Sequence, residues 1–251
     1  MSQNIYDRPD FFKAYSELID RSHADLANDL VWSRMSTFVP DVKGLNILDL
    51  GCGSGWFCRW ATDHGAESVL GLDLSEKMLD KARSLTGETS TGIEYRRADL
   101  DDLELPEGHT GKYDLVFSAL ALHYVVNLAT LMALVHRVLK PGGLVVLNVE
   151  HPIYTAPQNP HVVTDSDSGE KYWSFNSYHN EGERVIDWLA PGVRKQHRTM
   201  TGYIDCFLKA GFDITGFIEW LPTTEEISAG RVSEVDQIRP LFLMMRLKRR
   251  L

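Results

Sequence analysis

The stretch NILDLGCGSGWF, residues 46–57, constrains this chain more than any other: three glycines directly follow an aliphatic run and directly precede a helix-compatible stretch. A glycine-rich turn between a strand and a helix lets backbone N–H groups and the helix N-terminus face a ligand. Turns of this kind occur in folds that alternate strands with helices. The motif therefore predicts the α/β class and a ligand close to the backbone.

The remaining pattern agrees with this class. We predict helices at 55–64, 75–85, 128–139 and 199–210, and strands at 45–50, 68–73, 93–96, 113–118, 143–149, 213–220 and 241–247. Alternation of strands and helices indicates a doubly wound parallel sheet with helices on both faces. Residues 10–39 have the apolar spacing of amphipathic helices, whereas residues 151–198 break the rhythm with four prolines and many aromatic residues.

The glycine spacing limits the classes of ligand that this loop could bind. Gly51, Gly53 and Gly55 are followed by Trp56, where a dinucleotide fingerprint needs glycine, and no P-loop sequence occurs. Asp73 ends the next strand, and a carboxylate there can accept both hydroxyls of a ribose. Asp49, before the glycines, would lie near a cationic end of the ligand. Together these residues predict a nucleoside with a positive head and no phosphate.

At this point the sequence resembles the class I S-adenosylmethionine-dependent methyltransferases, strongly over residues 45–150. LDLGCGSG is similar to the cofactor loop of that family, and DLSEKML, RADL, YDLVFSALALHYV and VLKPGGLVVLN resemble its later motifs in order. The resemblance implies a Rossmann-like, seven-stranded, mostly parallel sheet whose last strand is antiparallel. We expect one domain with an N-terminal helical cap (1–43), a cofactor-binding core (44–150), an inserted substrate lid (151–198) and a C-terminal part of the core (199–251).

The resemblance also implies which residues hold S-adenosylmethionine. Asp73 is the ribose acid, Leu74 and Met78 lie beside the adenine, and Asp99 accepts from its amino group. The other expected contacts come from the glycine loop, the RADL segment and the end of the fourth strand: Asp49, Gly51, Cys52, Gly53, Gly55, Ala98, Leu100, Ser118 and Ala119. In the N-terminal cap, Tyr15 and Arg21 could reach the amino-acid carboxylate, a group that arginine grips well.

Three residues are candidates for the chemistry. The resemblance places His123 and Tyr124 near the transferred methyl, although a histidine in an apolar stretch is often an ordinary half-buried residue. His151 follows strand five, whose end faces the cleft at the carboxyl edge of the sheet. We expect His151 or His123 to act as base or substrate contact if the acceptor arrives protonated. The histidines lack metal-ligand spacing, so no metal is expected.

The lid carries six aromatic residues whose role stays open: Tyr154, Tyr172, Trp173, Phe175, Tyr178 and Trp188. They could form the lid's own small core, or an aromatic pocket for an apolar or cationic acceptor that excludes water.

Trp56 and Trp60, four apart on the first helix, indicate packing. The sequence also resembles a group of small bacterial methyltransferases that have EHPI after strand five, which implies no substrate.

Composition limits the function classes. A formal charge of −9 and three cysteines without C-x-x-C spacing favour a cytoplasmic protein with reduced thiols and without a nucleic-acid or membrane partner. We predict methyl transfer from S-adenosylmethionine, which leaves S-adenosylhomocysteine, to oxygen or nitrogen of a small molecule. The alternatives are a nucleic-acid methyltransferase, a non-catalytic S-adenosylmethionine-binding regulator, and aminopropyl or carboxymethyl transfer. The sequence does not indicate an oligomeric state.

Overall fold

A computed structural model of the chain describes residues 2–23, 28–87 and 91–251, without the side chains of 19–23. The strands are β1 (Asn46–Leu50), β2 (Ser68–Asp73), β3 (Ile93–Arg97), β4 (Tyr113–Ala119), β5 (Leu139–Glu150), β6 (Val162–Thr164), β7 (Lys171–Trp173), β8 (Gly182–Trp188), β9 (Ala190–His197), β10 (Phe212–Glu219) and β11 (Phe242–Arg249). The α-helices are α1 (Pro9–His23), α2 (Leu30–Met35), α3 (Trp56–Asp63), α4 (Glu76–Thr86), α5 (Leu128–Val138), α6 (Pro152–Thr155), α7 (Met200–Lys209) and α8 (Thr224–Ser228).

Seven strands form one sheet in the order β10-β11-β5-β4-β1-β2-β3. Every neighbouring pair is parallel except those made by β11, which is antiparallel to both β5 and β10. The predicted fold class, with its antiparallel last strand, is therefore confirmed. β5 begins four residues earlier than predicted, because the LKPGG turn joins it through an irregular pairing with β4.

The two faces of the sheet carry separate halves of the core. Successive side chains of a strand point to opposite faces, so Leu48 and Leu50 pack on one side with α5 and α7, whereas Ile47 packs on the other with α2 and α3. Both halves are fully buried at β1 and β4. The carboxyl ends of the central strands are therefore held rigidly at one edge of the sheet.

Residues 151–198, predicted as a lid, contain α6 and two antiparallel hairpins, β6–β7 and β8–β9. In its described residues, the predicted N-terminal cap contains α1, α2 and short 3-10 turns. Within the described residues, no helix is long and apolar enough to cross a membrane.

Candidate active site

The glycines of the loop after β1 have three different surroundings. A Cβ at Gly51 would lie 2.2 Å from the Cβ of Ala121, and one at Gly55 would lie 2.2 Å from the hydroxyl of Tyr95. At Gly53 the nearest atom is the methyl of Met78 at 3.4 Å. Gly51 and Gly55 must therefore be glycine because other residues of the chain pack directly against them. All three glycines have a positive φ that disfavours other residues.

Asp73 holds this loop against the start of α4. Its carboxylate accepts a hydrogen bond from the backbone N–H of Gly53 at 2.9 Å and another from that of Ser75 at 2.8 Å. Ser75 in turn caps α4 by accepting from the N–H of Met78. Burial raises the pKa of Asp73 despite these hydrogen bonds. A carboxylate oxygen has more than one lone pair, so the group can still accept hydrogen bonds from a ligand.

A first cavity opens beside Asp73. Its walls include nine of the predicted cofactor contacts: Tyr15, Gly51, Gly53, Asp73, Leu74, Met78, Asp99, Leu100 and Ala119. The sheet edge therefore brings together residues that lie more than a hundred positions apart in the chain. The loop, the end of β2 and the segment after β3 form one continuous surface, as parallel strands that end at one edge require.

Five other predicted contacts do not line this cavity. Asp49 is 2% exposed and its Oδ2 lies 3.3 Å from the Cys58 thiol, while burial raises its pKa to about 7. Ser118 donates to the carbonyl of Leu50. Cys52, Gly55 and Ala98 also do not line the cavity. The Arg21 side chain, also predicted as a contact, falls outside the described residues.

Residues 2–7 form an unpredicted part of the site, which we call the N-terminal segment. Ser2 donates to Asp99 at 2.7 Å and Asn4 donates to the carbonyl of Leu74, so the segment crosses the first cavity. The Asn4 Oδ1 is buried without a hydrogen-bond partner among the described residues. Periodicity could not reveal this, because the contacts join residues about 70 to 100 positions apart in a stretch without a motif.

A second cavity lies next to the first and is rich in aromatic side chains. Its rings come from the N-terminal segment, α1, α2, α3, the loop after β4, α6, β8 and β11: Tyr6, Tyr15, Trp32, Trp56, Tyr124, Tyr154, Trp188 and Phe242. Tyr124, a predicted catalytic residue, is among them. Trp56, which the sequence assigned to packing, also faces this space.

The two cavities share five wall residues, which we call the junction: Tyr6, Tyr15, Ala119, Leu120 and Tyr124. Tyr6 donates to the hydroxyl of Tyr124 at 3.2 Å, and burial raises the pKa of both phenols well above the usual value. Leu120 has a φ of +57°, a sparsely populated conformation for leucine. Such strained residues cluster at ligand sites.

The structure separates the two candidate histidines. His123 lines the second cavity, and burial lowers its pKa well below the usual value, so the ring is neutral at pH 7. His151 is 1% exposed and lines neither cavity. Its Nδ1 accepts from the N–H of Ile153 at 3.0 Å and its Nε2 lies 2.8 Å from Glu219. With both nitrogens engaged, His151 caps α6, and this placement argues against the predicted role as base.

Four of the six lid aromatics fit one of the two predicted roles, and the other two fit neither. Tyr154 and Trp188 line the second cavity, whereas Tyr172 and Phe175 are exposed on the outer surface. The Trp173 ring stacks on Tyr154 and carries the Arg239 guanidinium, and Tyr178 packs on His197. Most rings of the cavity therefore come from outside the lid. Among the described residues, no group of three or more His, Cys, Asp or Glu could hold a metal ion.

Comparison with known proteins agrees with this geometry. Residues 48–147 match a family model described as a methyltransferase domain. The crystal structure of an S-adenosylmethionine dependent methyltransferase from Mesorhizobium loti aligns with a TM-score of 0.82 and 46% identity, over 89% of this chain and 100% of that one. The chain belongs to the class I S-adenosylmethionine-dependent methyltransferases. The cofactor of this methyltransferase is S-adenosylmethionine, as predicted.

Two curated relatives show how far the similarity extends. An uncharacterized protein from Haemophilus influenzae is 32% identical over 217 residues, which cover 84% of each chain. A ubiquinone biosynthesis O-methyltransferase from Dechloromonas aromatica is 36% identical over 107 residues, or 43% of this methyltransferase and 45% of that enzyme. The second match covers less than half of either protein, so it supports the shared enzyme class and does not extend to the whole acceptor site.

Proposed function

We propose that this methyltransferase transfers a methyl group to an oxygen or nitrogen of a small molecule that binds in the second cavity. The observation that carries the proposal is the junction, the five residues that line both cavities. A methyl donor in the first cavity and an acceptor in the second would meet there. In-line alignment of donor and acceptor can supply several kcal/mol of the barrier.

The first cavity fits the cofactor in polarity as well as in position. Asp73 has spare acceptor capacity for ribose hydroxyls, Leu74 and Met78 offer apolar surface to a base, and Asp99 offers a carboxylate to its amino group. The unpartnered Asn4 Oδ1 is one more acceptor beside the same space. S-adenosylmethionine supplies an electrophilic methyl on a sulfonium. The residues of the chain therefore need chiefly to bind, to orient and to exclude water.

The junction tyrosines are suited to exclude water. Tyr6, Tyr15 and Tyr124 pack edge-on with centroid distances of 4.8 Å and 6.0 Å from the Tyr6 ring. Because burial keeps their phenols protonated, these residues offer neutral hydroxyls and ring faces to the reacting atoms. The neutral His123 adds an imidazole to the acceptor side. A proton would leave an acceptor only where its chemistry requires it.

The alternatives fit the cavities less well. A nucleic-acid acceptor would need a basic surface for phosphates, whereas the chain carries a formal charge of −9. A regulator without catalysis would not need a second cavity at the junction. Aminopropyl or carboxymethyl transfer would use the same walls, and only the mass of the product separates it from methylation.

Incubation with S-adenosylmethionine and a panel of small alcohols, phenols, carboxylates and amines tests the proposal. We expect S-adenosylhomocysteine release with at least one class, and a product heavier by one methylene group by mass spectrometry. Asp73→Asn should lower the affinity for the cofactor about 30-fold in calorimetry, since buried hydrogen bonds to a charged group contribute about 2 kcal/mol. Asp63→Asn, an exposed acid of α3, is the matched control. Cofactor binding without transfer to any class would support the regulator instead.

A further inference from the structure

Two oxygens in the wall of the second cavity have no hydrogen-bond partner. Asn148 Oδ1 and Glu150 Oε2 are buried, and neither is satisfied by any described residue. Both residues lie at the end of β5 and line the cavity. A buried polar atom without a hydrogen-bond partner destabilises a protein. Their placement therefore indicates a ligand that brings hydrogen-bond donors.

These oxygens lie close to the junction. Asn148 pairs with Ala119 in the β4–β5 register, and its carbonyl accepts from the N–H of Leu120 at 2.8 Å. Ala119 and Leu120 are both junction residues. A donor group that meets Asn148 and Glu150 would therefore sit beside the place where the cavities join.

The Glu150 carboxylate is fixed from its other side. Its Oε1 pairs with the Lys195 ammonium, which is 2% exposed and lies over the Trp188 ring at 4.7 Å from the centroid. The second ring under Lys195 belongs to Tyr124, at 5.9 Å. This ion pair holds Glu150 in place, and Lys195 itself is not part of the cavity wall.

The wall offers hydrogen-bond acceptors and carries no cation of its own among the described residues. Its acidic residues there are Asp29 and Glu150, and no lysine or arginine lines it. Lys195, behind the wall, balances the charge of Glu150 through Oε1 and leaves Oε2 without a partner. His123 is neutral because burial lowers its pKa. The rest of the wall is largely aromatic, and the faces of tryptophan and tyrosine rings attract cations. An alcohol offers one hydrogen to two acceptors, whereas an ammonium group offers several.

We propose that the acceptor is a small primary or secondary amine that enters as an ammonium ion and donates to Glu150 Oε2 and Asn148 Oδ1 among the aromatic rings. This inference rests on the proposed function and narrows it to N-methylation. The ammonium group loses one proton to water before its nitrogen attacks, and Glu150 stays ionised beside Lys195. The nitrogen lone pair forms the bond to the methyl carbon as the carbon–sulfur bond breaks, and that electron pair stays on sulfur. The product is a methylated ammonium ion, and one proton is released.

Calorimetry with pairs of equal carbon skeleton tests the inference: butylamine against butanol, cyclohexylmethylamine against cyclohexylmethanol, and 2-phenylethylamine against 2-phenylethanol, each with S-adenosylhomocysteine present. We expect at least one amine to bind tenfold or more tighter than its alcohol, since hydrogen bonds that involve a charged group are stronger than those between neutral groups. Equal or tighter binding of the alcohols, or no amine binding, would overturn the inference.

Variants assign the preference to the two oxygens. Glu150→Gln combined with Lys195→Gln removes both charges of the ion pair, so no lone charge stays buried, and should reduce the amine preference to less than threefold. Asn148→Ala should lower amine affinity even if the double variant fails to fold. Glu170→Gln, an exposed acid of the β6–β7 hairpin, is the control and should keep the full preference. An unchanged preference in the folded variants would also contradict the inference.

The same compounds, incubated with the enzyme and S-adenosylmethionine, separate this inference from the proposed function. Methyl transfer to an alcohol or a carboxylate, with normal cofactor binding, would overturn only the amine assignment. Cofactor binding without transfer to any nucleophile, at any concentration of the panel, would overturn the proposed function as well.

Discussion

Gly55 and Gly44 have the same left-handed backbone, with a φ of +73° at each, but different surroundings. A Cβ at Gly55 would meet the Tyr95 hydroxyl at 2.2 Å, whereas one at Gly44 would meet nothing within 4 Å. We expect Gly44→Ala to lower the free energy of unfolding by about 1 kcal/mol, the cost of the backbone conformation. Gly55→Ala should cost more, because Tyr95 must also move. Urea unfolding measures both, and equal losses would contradict the role of Tyr95.

The pH dependence of stability tests the burial of Asp49. Burial raises the pKa of this carboxyl from 3.8 to about 7, so the folded protein favours its protonated form. Its stabilising contribution is therefore present below about pH 4 and is lost as the pH rises through 7. Asp49→Asn removes this titration. We expect the free energy of unfolding of the natural protein to fall between pH 4 and 8, relative to Asp49→Asn, by up to about 4 kcal/mol.

Urea unfolding at several pH values measures this difference between the two proteins. Other titrating groups are common to both, so they cancel in the comparison. A difference that stays constant from pH 4 to 8 would show that Asp49 ionises normally in the folded protein.

At the scale of elements, the N-terminal segment depends on one acid. Asp7 accepts from the Ser75 hydroxyl at 2.6 Å and from the N–H of Lys77 at 3.1 Å, which ties the segment to the start of α4. We expect Asp7→Ala to weaken cofactor binding by up to about 30-fold, since two hydrogen bonds of about 1 kcal/mol each hold this wall. Calorimetry measures the affinity, and thermal unfolding monitors the fold.

Asp10→Ala provides the matched control for Asp7. Asp10 is an exposed acid three residues further along, and it pairs with Arg8 instead of α4. The control should bind the cofactor as the natural protein does. If both variants lost affinity equally, the link between the segment and α4 would not be what holds the cavity wall.

The elements of the sheet could be predicted because their signals are local. The aliphatic run at residues 47–50 and the loop from Gly51 to Gly55 define β1 and α3 within a few residues, and Asp73 follows from its place at the end of β2. The second cavity could not be predicted in this way. Tyr6 forms a hydrogen bond with Tyr124, which lies 118 positions away in the sequence, and no local sequence pattern predicts that contact. Histidine is a common catalytic residue type, but the hydrogen bonds of His151 place it at the N-terminal cap of α6.

For the whole molecule, cofactor binding should be visible as stabilisation. A ligand at 100 times its Kd adds about 2.7 kcal/mol to the free energy of unfolding. In a chain of 251 residues, this corresponds to a rise in Tm of roughly 5–10 °C. We expect that rise with S-adenosylmethionine and S-adenosylhomocysteine in thermal unfolding, and not with NAD. Asp73→Asn should lose most of it. A rise with NAD alone would contradict the cofactor assignment.

The shared wall at the junction also limits how this enzyme can diverge. Tyr6, Tyr15 and Tyr124 belong to both cavities, so a substitution that enlarges the space for a new acceptor also alters the surface presented to the donor. Coupling between two ligands is reciprocal, and a gain on one side changes affinity on the other. Residues such as Trp32 and Phe242 line only the second cavity, the proposed acceptor site. New acceptor specificities should therefore arise first at those outer positions, where the donor is left undisturbed.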